Sequence, residues 1–271
     1  MPDVSYEKLA FRLPELEHRY GPNVHLVGTP YQLSLLATLC AKATGQPQVN
    51  TLVRALYTEL ITLVVSHAFP RTTAAIPSRM IDHTPLGVYQ GEIIDPSVRA
   101  VTVNIARAGT LPSQVVYDLL NTLLDPALVR QDHLIMSRTL DVAEHVVGSS
   151  IGGVKIGGDV DGAFLLFPDP MGATGGSLST AIQLYKEKVP GAIRRLVCIN
   201  LIVTPEYIRK LTADHPEVVI YALRLDRGLS PADVLRSVPG ERWSEERGLD
   251  DRQYIVPGGG GMGEVMNNAY V

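Results

Sequence analysis

The chain has few residues for disulfide chemistry: of its 271 residues only Cys40 and Cys198 are cysteines, far apart and each within an apolar run. With no Cys-x-x-Cys unit, both are expected as buried thiols of a reducing compartment. Charge of either sign is also sparse, and the formal net charge of -4 comes with basic residues scattered rather than striped. That excludes the electrostatic footprint of a nucleic-acid partner. The seven histidines, His67, His133 and His145 among them, lack His-x-x-x-His or Glu-x-x-His companions. They are expected at the surface or in packing, and no metal site is expected. No Gly-Lys-Ser or Gly-Lys-Thr is present, which disfavours a Walker-type triphosphate loop. The start of the chain, with Glu7, Arg12, Glu15 and Glu17, is too charged for a signal peptide, and no apolar stretch approaches the roughly 18 residues of a membrane span. By elimination the reading is a cytoplasmic protein with no membrane partner.

What is present suits a globular fold. A hydrophobic content of 45% allows a full core, and residues 1–271 are read as a single domain. Residues 31–65 carry two helical patterns, one lined by Leu35, Leu36, Leu39 and Cys40, the other by Leu52, Leu56, Leu60 and Leu63. With them, 1–67 is an N-terminal helical segment. Segment 68–97, rich in Pro and Thr, predicts a surface excursion or arm. Strands and helices then alternate: strand 98–105, helix 112–124, strand 133–136, strand 164–167, a helix after Ser177, and strand 195–203. Such alternation predicts an α/β fold, mainly a parallel twisted sheet flanked by helices. Ligands of these sheets sit outside the carboxyl ends of the strands, where Arg107, Arg138 and Asp169 would converge. Glycine-rich 138–162 reads equally as a mobile flap or as a hairpin with flexible turns. Ser230, Pro231 and Asp233 form a capping box expected to open a short helix through Val238.

The richest signal is 167–177. A buried-strand pattern ends at Phe167, and Leu178, Ala181, Ile182, Tyr185 and Val189 recur at helical spacing. Residues 173–177 therefore fall at a helix N-terminus, where unpaired N–H groups and the helix dipole favour an anion. Gly175 and Gly176 let the backbone approach a ligand, and the hydroxyls of Thr174 and Ser177 can donate to phosphate oxygens. Gly-x-Gly-x-x-Gly does not fit this loop, which weakens a dinucleotide reading. Ser177 does not sit in a Gly-x-Ser-x-Gly elbow, and no triad can be assembled. Asp169 beside such a cradle suits a sugar phosphate.

Asp169, Pro170, Met171, Gly172, Ala173, Thr174, Gly175, Gly176 and Ser177 together resemble the phosphoribosyl-pyrophosphate (PRPP) loop of uracil phosphoribosyltransferases. Tyr254, Ile255, Val256, Pro257 and Gly258, followed by more glycines, resemble that family's uracil-binding hood, here 220–271, and 225–229 resemble the segment before it. The likeness extends over 192–229, the Arg107-Ala-Gly turn and the Arg138 region. It implies a phosphoribosyltransferase-like fold and the transfer of ribose 5-phosphate from PRPP to uracil, giving UMP and pyrophosphate in pyrimidine salvage. It further implies that Arg107 and Arg138 bind the pyrophosphate end, that Asp169 takes the ribose hydroxyls or hydrated Mg2+ carried by the donor without a dedicated protein cage, and that 169–177 cradle the 5-phosphate. Uracil would be read mainly through the backbone of Ile255, Gly260, Gly261 and Met262. A homodimer or higher homo-oligomer is implied as well, for which the apolar helices of the first third could supply either an interface or ordinary core.

The chain departs from that pattern inside the site. Gly261 stands where the family has an Asp that also touches the donor, Met262 replaces a small Ala, and Glu264 stands where a second Asp is common. About twenty residues are inserted between Gly228 and Tyr254 relative to the usual loop. A non-catalytic sensor of PRPP or nucleotide, and a phosphoribosyltransferase for another base, therefore stay open as alternatives.

Overall fold

In the computed structural model, which describes residues 3–140 and 146–270, an eight-stranded sheet lies between two layers of helices. In chain order the elements are β1 (Val24–Leu26), α1 (Pro30–Leu39), α2 (Gln48–Ala68), β2 (Arg71–Pro77), β3 (Val88–Ile94), β4 (Ala100–Ala106), α3 (Thr110–Leu123), β5 (Val129–Leu140), β6 (Val146–Lys155), β7 (Phe164–Pro168), β8 (Met171–Gly172), α4 (Gly176–Lys188), β9 (Arg195–Val203), α5 (Pro205–Asp214), β10 (Val219–Leu225) and α6 (Met262–Val265). The sheet order is β1-β10-β9-β7-β4-β5-β6, with β8 also on β9. Every pairing within it is parallel except β5 with β6. The α/β reading holds.

Both faces of the sheet are covered, which explains why β7 and β9 read as unbroken apolar runs. Along β9, Val197, Ile199 and Leu201 face one core with α1, α2 and α3. Leu196 and Cys198 face the other, with Leu178, Ile182 and Tyr185 of α4 and Ile208 and Leu211 of α5. Cys198 is buried and Cys40 half-buried, both as free thiols.

Several expectations change. By length and composition α2, at 21 residues, qualifies as a membrane span, against the expectation that no stretch would. Its apolar face is nevertheless core: Leu52, Leu56 and Leu60 are buried against the sheet, and the Tyr57 hydroxyl donates to the Ile199 carbonyl at 3.1 Å. This face is therefore spent within the chain and is not an oligomer interface. Segment 1–67 is not helical throughout, since β1 pairs in parallel with β10 at the sheet edge. The excursion 68–97 is the antiparallel β2–β3 hairpin. Between the two readings of 138–162, the structure gives a hairpin: β5 continues well past residue 136 and pairs antiparallel with β6. Residues 141–145, His145 included, lie outside the described residues. Ser230 does not cap a helix, because its Oγ accepts from the Arg247 amide at 2.8 Å. Only a short 3-10 turn, Val234–Arg236, follows.

Candidate active site

The position of the site follows from chain direction. From β4 the chain crosses by α3 on one face to β5; from β7 it crosses by α4 on the opposite face to β9. β4 and β7 are neighbours, with Val101 abreast of Leu165 and Thr102 of Leu166. The crossovers thus diverge at their carboxyl ends, and this topological switch point leaves a crevice between the two following loops. One loop holds Arg107 and the other Asp169.

The two loops touch. At Gly109 an added Cβ would lie 2.8 Å from the Ile105 carbonyl and 3.2 Å from that of Pro168, so no side chain fits between the turns. Arg107 follows a cis peptide from Ala106. Its guanidinium is exposed and donates to the Ala269 carbonyl of the C-terminal tail at 2.9 Å. Arg138, expected after its strand, lies within β5 instead, its backbone opposite Ser149. Because Ala106 pairs with Ile135, Arg138 stands three residues further on, roughly 10 Å along the strand; its side chain lies outside what the structure describes.

Residues 169–177 rest on a platform supplied by β9 and α5. The buried Asn200 amide donates to the Asp169 carbonyl at 2.7 Å and accepts from the Tyr207 hydroxyl at 2.9 Å. Thr204 caps α5 through the Tyr207 amide, and its hydroxyl donates to the Ala173 carbonyl at 2.6 Å. Gly172 lies against Val203 and the Tyr207 ring, where a Cβ would approach both to within 3.0 Å. Asp169 is half-buried, and its Oδ1 accepts from the Met171 amide at 3.1 Å. Gly175 then adopts φ 79°, a left-handed turn that glycine makes at least cost, and among the described residues no side chain caps α4. The Gly176 amide meets Thr174 Oγ1 at 3.3 Å, so that hydroxyl shapes the loop as well as lining it.

The hood hangs from one buried carboxylate. Asp226 accepts from Arg224 at 2.6 and 2.8 Å and from the Gly258 amide at 2.7 Å. Arg224 also donates to the Gly258 carbonyl at 3.1 Å. Desolvation opposes charge on Arg224, but the Asp226 carboxylate outweighs it and raises its pKa. Ile255 and Met262 send their side chains into the core, so any contact they make with a ligand is through backbone. The first turn of α6 packs on the arginine turn, where a Cβ on Gly263 would touch Ala108 at 3.5 Å. The insertion is also fixed: fully buried Glu246 accepts from Arg227 at 2.7 Å, from the Gly240 amide at 2.9 Å and from the Tyr20 hydroxyl. Between the insertion and Thr174 lies a cavity of about 660 Å³ lined by Glu206, Arg247 and Gln253 among others.

Sequence reasoning missed Asn200, Thr204, Tyr207 and Asp226. A polar Asn within the apolar run of β9, and the Asp inside 225–229, were the available signals.

A helix start reached through a glycine turn, beside a carboxylate at the switch point of a parallel sheet, is an arrangement suited to an enzyme of phosphorylated ligands. The model of the uracil phosphoribosyltransferase family matches residues 27–240, and the chain belongs to that family. The uracil phosphoribosyltransferase of Dictyoglomus thermophilum is 31% identical over 211 residues, 78% of this chain and 86% of its own. That of Roseiflexus castenholzii is 31% identical over 231 residues, 84% and 90% of the two chains. Among solved structures, the AQ2163 protein from Aquifex aeolicus shares the fold, with a TM-score of 0.69 at 18% identity over 92% of this chain and 99% of that one. The family match ends before the glycine loop and tail.

Proposed function

We propose that this enzyme transfers the 5-phosphoribosyl group of PRPP to N1 of uracil, forming UMP and releasing pyrophosphate. The observation that supports the reading is the close approach at the switch point between the turn after Arg107 and the Pro168 carbonyl, immediately before Asp169 and the loop into α4. The C1–O bond to pyrophosphate breaks as the C1–N1 bond forms, and the N1 proton passes to the departing pyrophosphate or to water. Positive charge grows on the ribose while a concentrated anion departs, so groups already aimed at those charges contribute most.

Amides 175–177 at the start of α4 receive the 5-phosphate. Arg107 draws off pyrophosphate: its bond to a neutral carbonyl of the tail is weaker than a charge-assisted bond to phosphate and yields to it. Arg138, in β5 opposite Ser149, is assigned the same pyrophosphate end by its family likeness. Asp169, steadied by the Met171 amide and Asn200, accepts from the ribose hydroxyls. A single fixed carboxylate beside substrate phosphates also fits the way Mg2+ is usually held, and Asp169 would hold it through water. When bound, that ion neutralises part of the leaving-group charge. Uracil is read by the backbone of Ile255 and 260–262, whose donors and acceptors would be left unpaired by a wrong base.

We further propose a cytoplasmic homodimer. Free Cys40 and Cys198 suit a reducing compartment, and Ile76, Met80, Ile81, Leu86 and Tyr89 expose apolar surface on the β2–β3 arm that a second copy would cover.

The test is direct: purified protein with PRPP, Mg2+ and uracil should form UMP and pyrophosphate in equal amounts. Silence with uracil, cytosine and the purine bases at high protein concentration would remove the proposal.

A further inference from the structure

Gly261 has no side chain, yet the space its side chain would fill is taken. A Cβ built there would lie 2.5 Å from Glu264 Oε2 and 3.0 Å from Glu264 Cδ. The turn of α6 brings this carboxylate back over the glycine loop, with the Glu264 amide donating to the Gly261 carbonyl at 2.9 Å. Glu264 is half-buried, and among the described residues no hydrogen bond or ion pair engages its carboxylate. A partly exposed carboxylate that no protein group engages is free to accept from a ligand. Its surroundings point to which ligand. The neighbouring Gly263 packs on Ala108, the Ala269 amide donates to the Glu264 carbonyl at 3.2 Å, and Ala269 in turn receives Arg107. Residue 264 therefore sits at the seam between the glycine loop and the turn of Arg107, with its carboxylate over Gly261.

We infer that Glu264 is a second donor-binding carboxylate, reaching from the hood side to the ribose hydroxyls or hydrated cation of PRPP and supplying the acidic group that residue 261 lacks. The inference rests on the reading of the chain as a PRPP-dependent transferase. It has a consequence opposite to simple sequence repair: Gly261→Asp alone would set a second carboxylate where the flexible end of Glu264 lies, and like-charge repulsion would turn Glu264 away, so it lowers donor binding and becomes beneficial only once Glu264 is shortened.

The test is calorimetric titration of PRPP in Mg2+ into the full chain, beside steady-state kinetics. Glu264→Gln keeps shape and removes charge; it should weaken PRPP roughly ten- to hundredfold with the thermal midpoint unmoved, raising the KM for PRPP more than that for uracil. Gly261→Asp should also weaken PRPP, whereas Gly261→Asp combined with Glu264→Ala should bind it better than either single variant. If the wild type makes UMP but Glu264→Gln binds PRPP normally, or if Gly261→Asp alone tightens binding, the assignment of Glu264 falls and the transferase stands. If the wild type binds PRPP and Glu264→Gln weakens it, while no base is converted, the transferase falls and Glu264 stands. A wild type that does not bind PRPP overturns both.

Discussion

At Asn200 a single amide holds two parts of the site together, accepting from the Tyr207 hydroxyl through its oxygen and donating through its nitrogen to the Asp169 carbonyl. Asn200→Leu keeps the branching of the side chain but orphans two buried polar groups, each costing roughly 1–3 kcal/mol. A lowered urea midpoint and a raised KM for PRPP are expected; an unchanged midpoint would show that the platform does not hold the loop. Arg107→Ala should lower kcat/KM roughly 10²–10³-fold, and Arg107→Lys should recover little of it because an ammonium lacks the planar fork. Equal rates for wild type and Arg107→Ala would place the pyrophosphate elsewhere. At this scale the sequence exposed residues whose chemistry is local, such as the glycines and hydroxyls of 172–177. What Asn200 and Thr204 hold was illegible, because their partners Asp169 and Ala173 lie 31 positions away.

The hood is an element with almost no regular secondary structure, and its position depends on buried charge. Asp226 is nearly inaccessible and paired with a partly buried Arg224, and breaking such a pair costs about 3–5 kcal/mol. Asp226→Asn should therefore loosen the Gly258 turn and raise the KM for uracil more than the KM for PRPP; a matching rise in both would mean that the pair supports the whole domain rather than the hood. The sequence pattern finds an element where burial alone decides it: β9 spans Arg195–Val203, as the sequence predicts. It fails where a partner element decides. β5 extends beyond 133–136 because β6 pairs with its polar end, and Ser230 abandons its capping role because Arg247 offers an amide brought in by the insertion.

For the whole molecule, His215 links α4 to α5. It is buried, touches Ser179, and meets Lys186 Nζ at 3.0 Å through Nδ1. Desolvation first, and the Lys186 charge second, hold its pKa below the usual 6.5. As pH falls the unfolded chain thus takes up the proton before the folded one. The stability contributed by neutral His215 is complete above pH 6.5 and is lost as pH drops below it. The thermal midpoint should fall between pH 7.5 and 5.5, and fall less in His215→Gln; an equal fall in both would assign the effect to other groups. Association is measurable as well. Sedimentation should give a species of twice the 29.4 kDa chain mass, and Ile81→Asp should return it to monomer, while a monomeric wild type would refute the arm-mediated dimer.

The sequence by itself determined the alternation of strands and helices, the glycine-rich helix start and the apolar character of the central strands. Each of these is set by backbone geometry and hydrophobic period within a dozen residues. Only the tertiary structure decided that the apolar face of α2 is core, that β4 and β7 flank the switch point, and that Glu264 fills the space beside Gly261. Those outcomes depend on which distant surfaces exclude water together, and no local pattern encodes them.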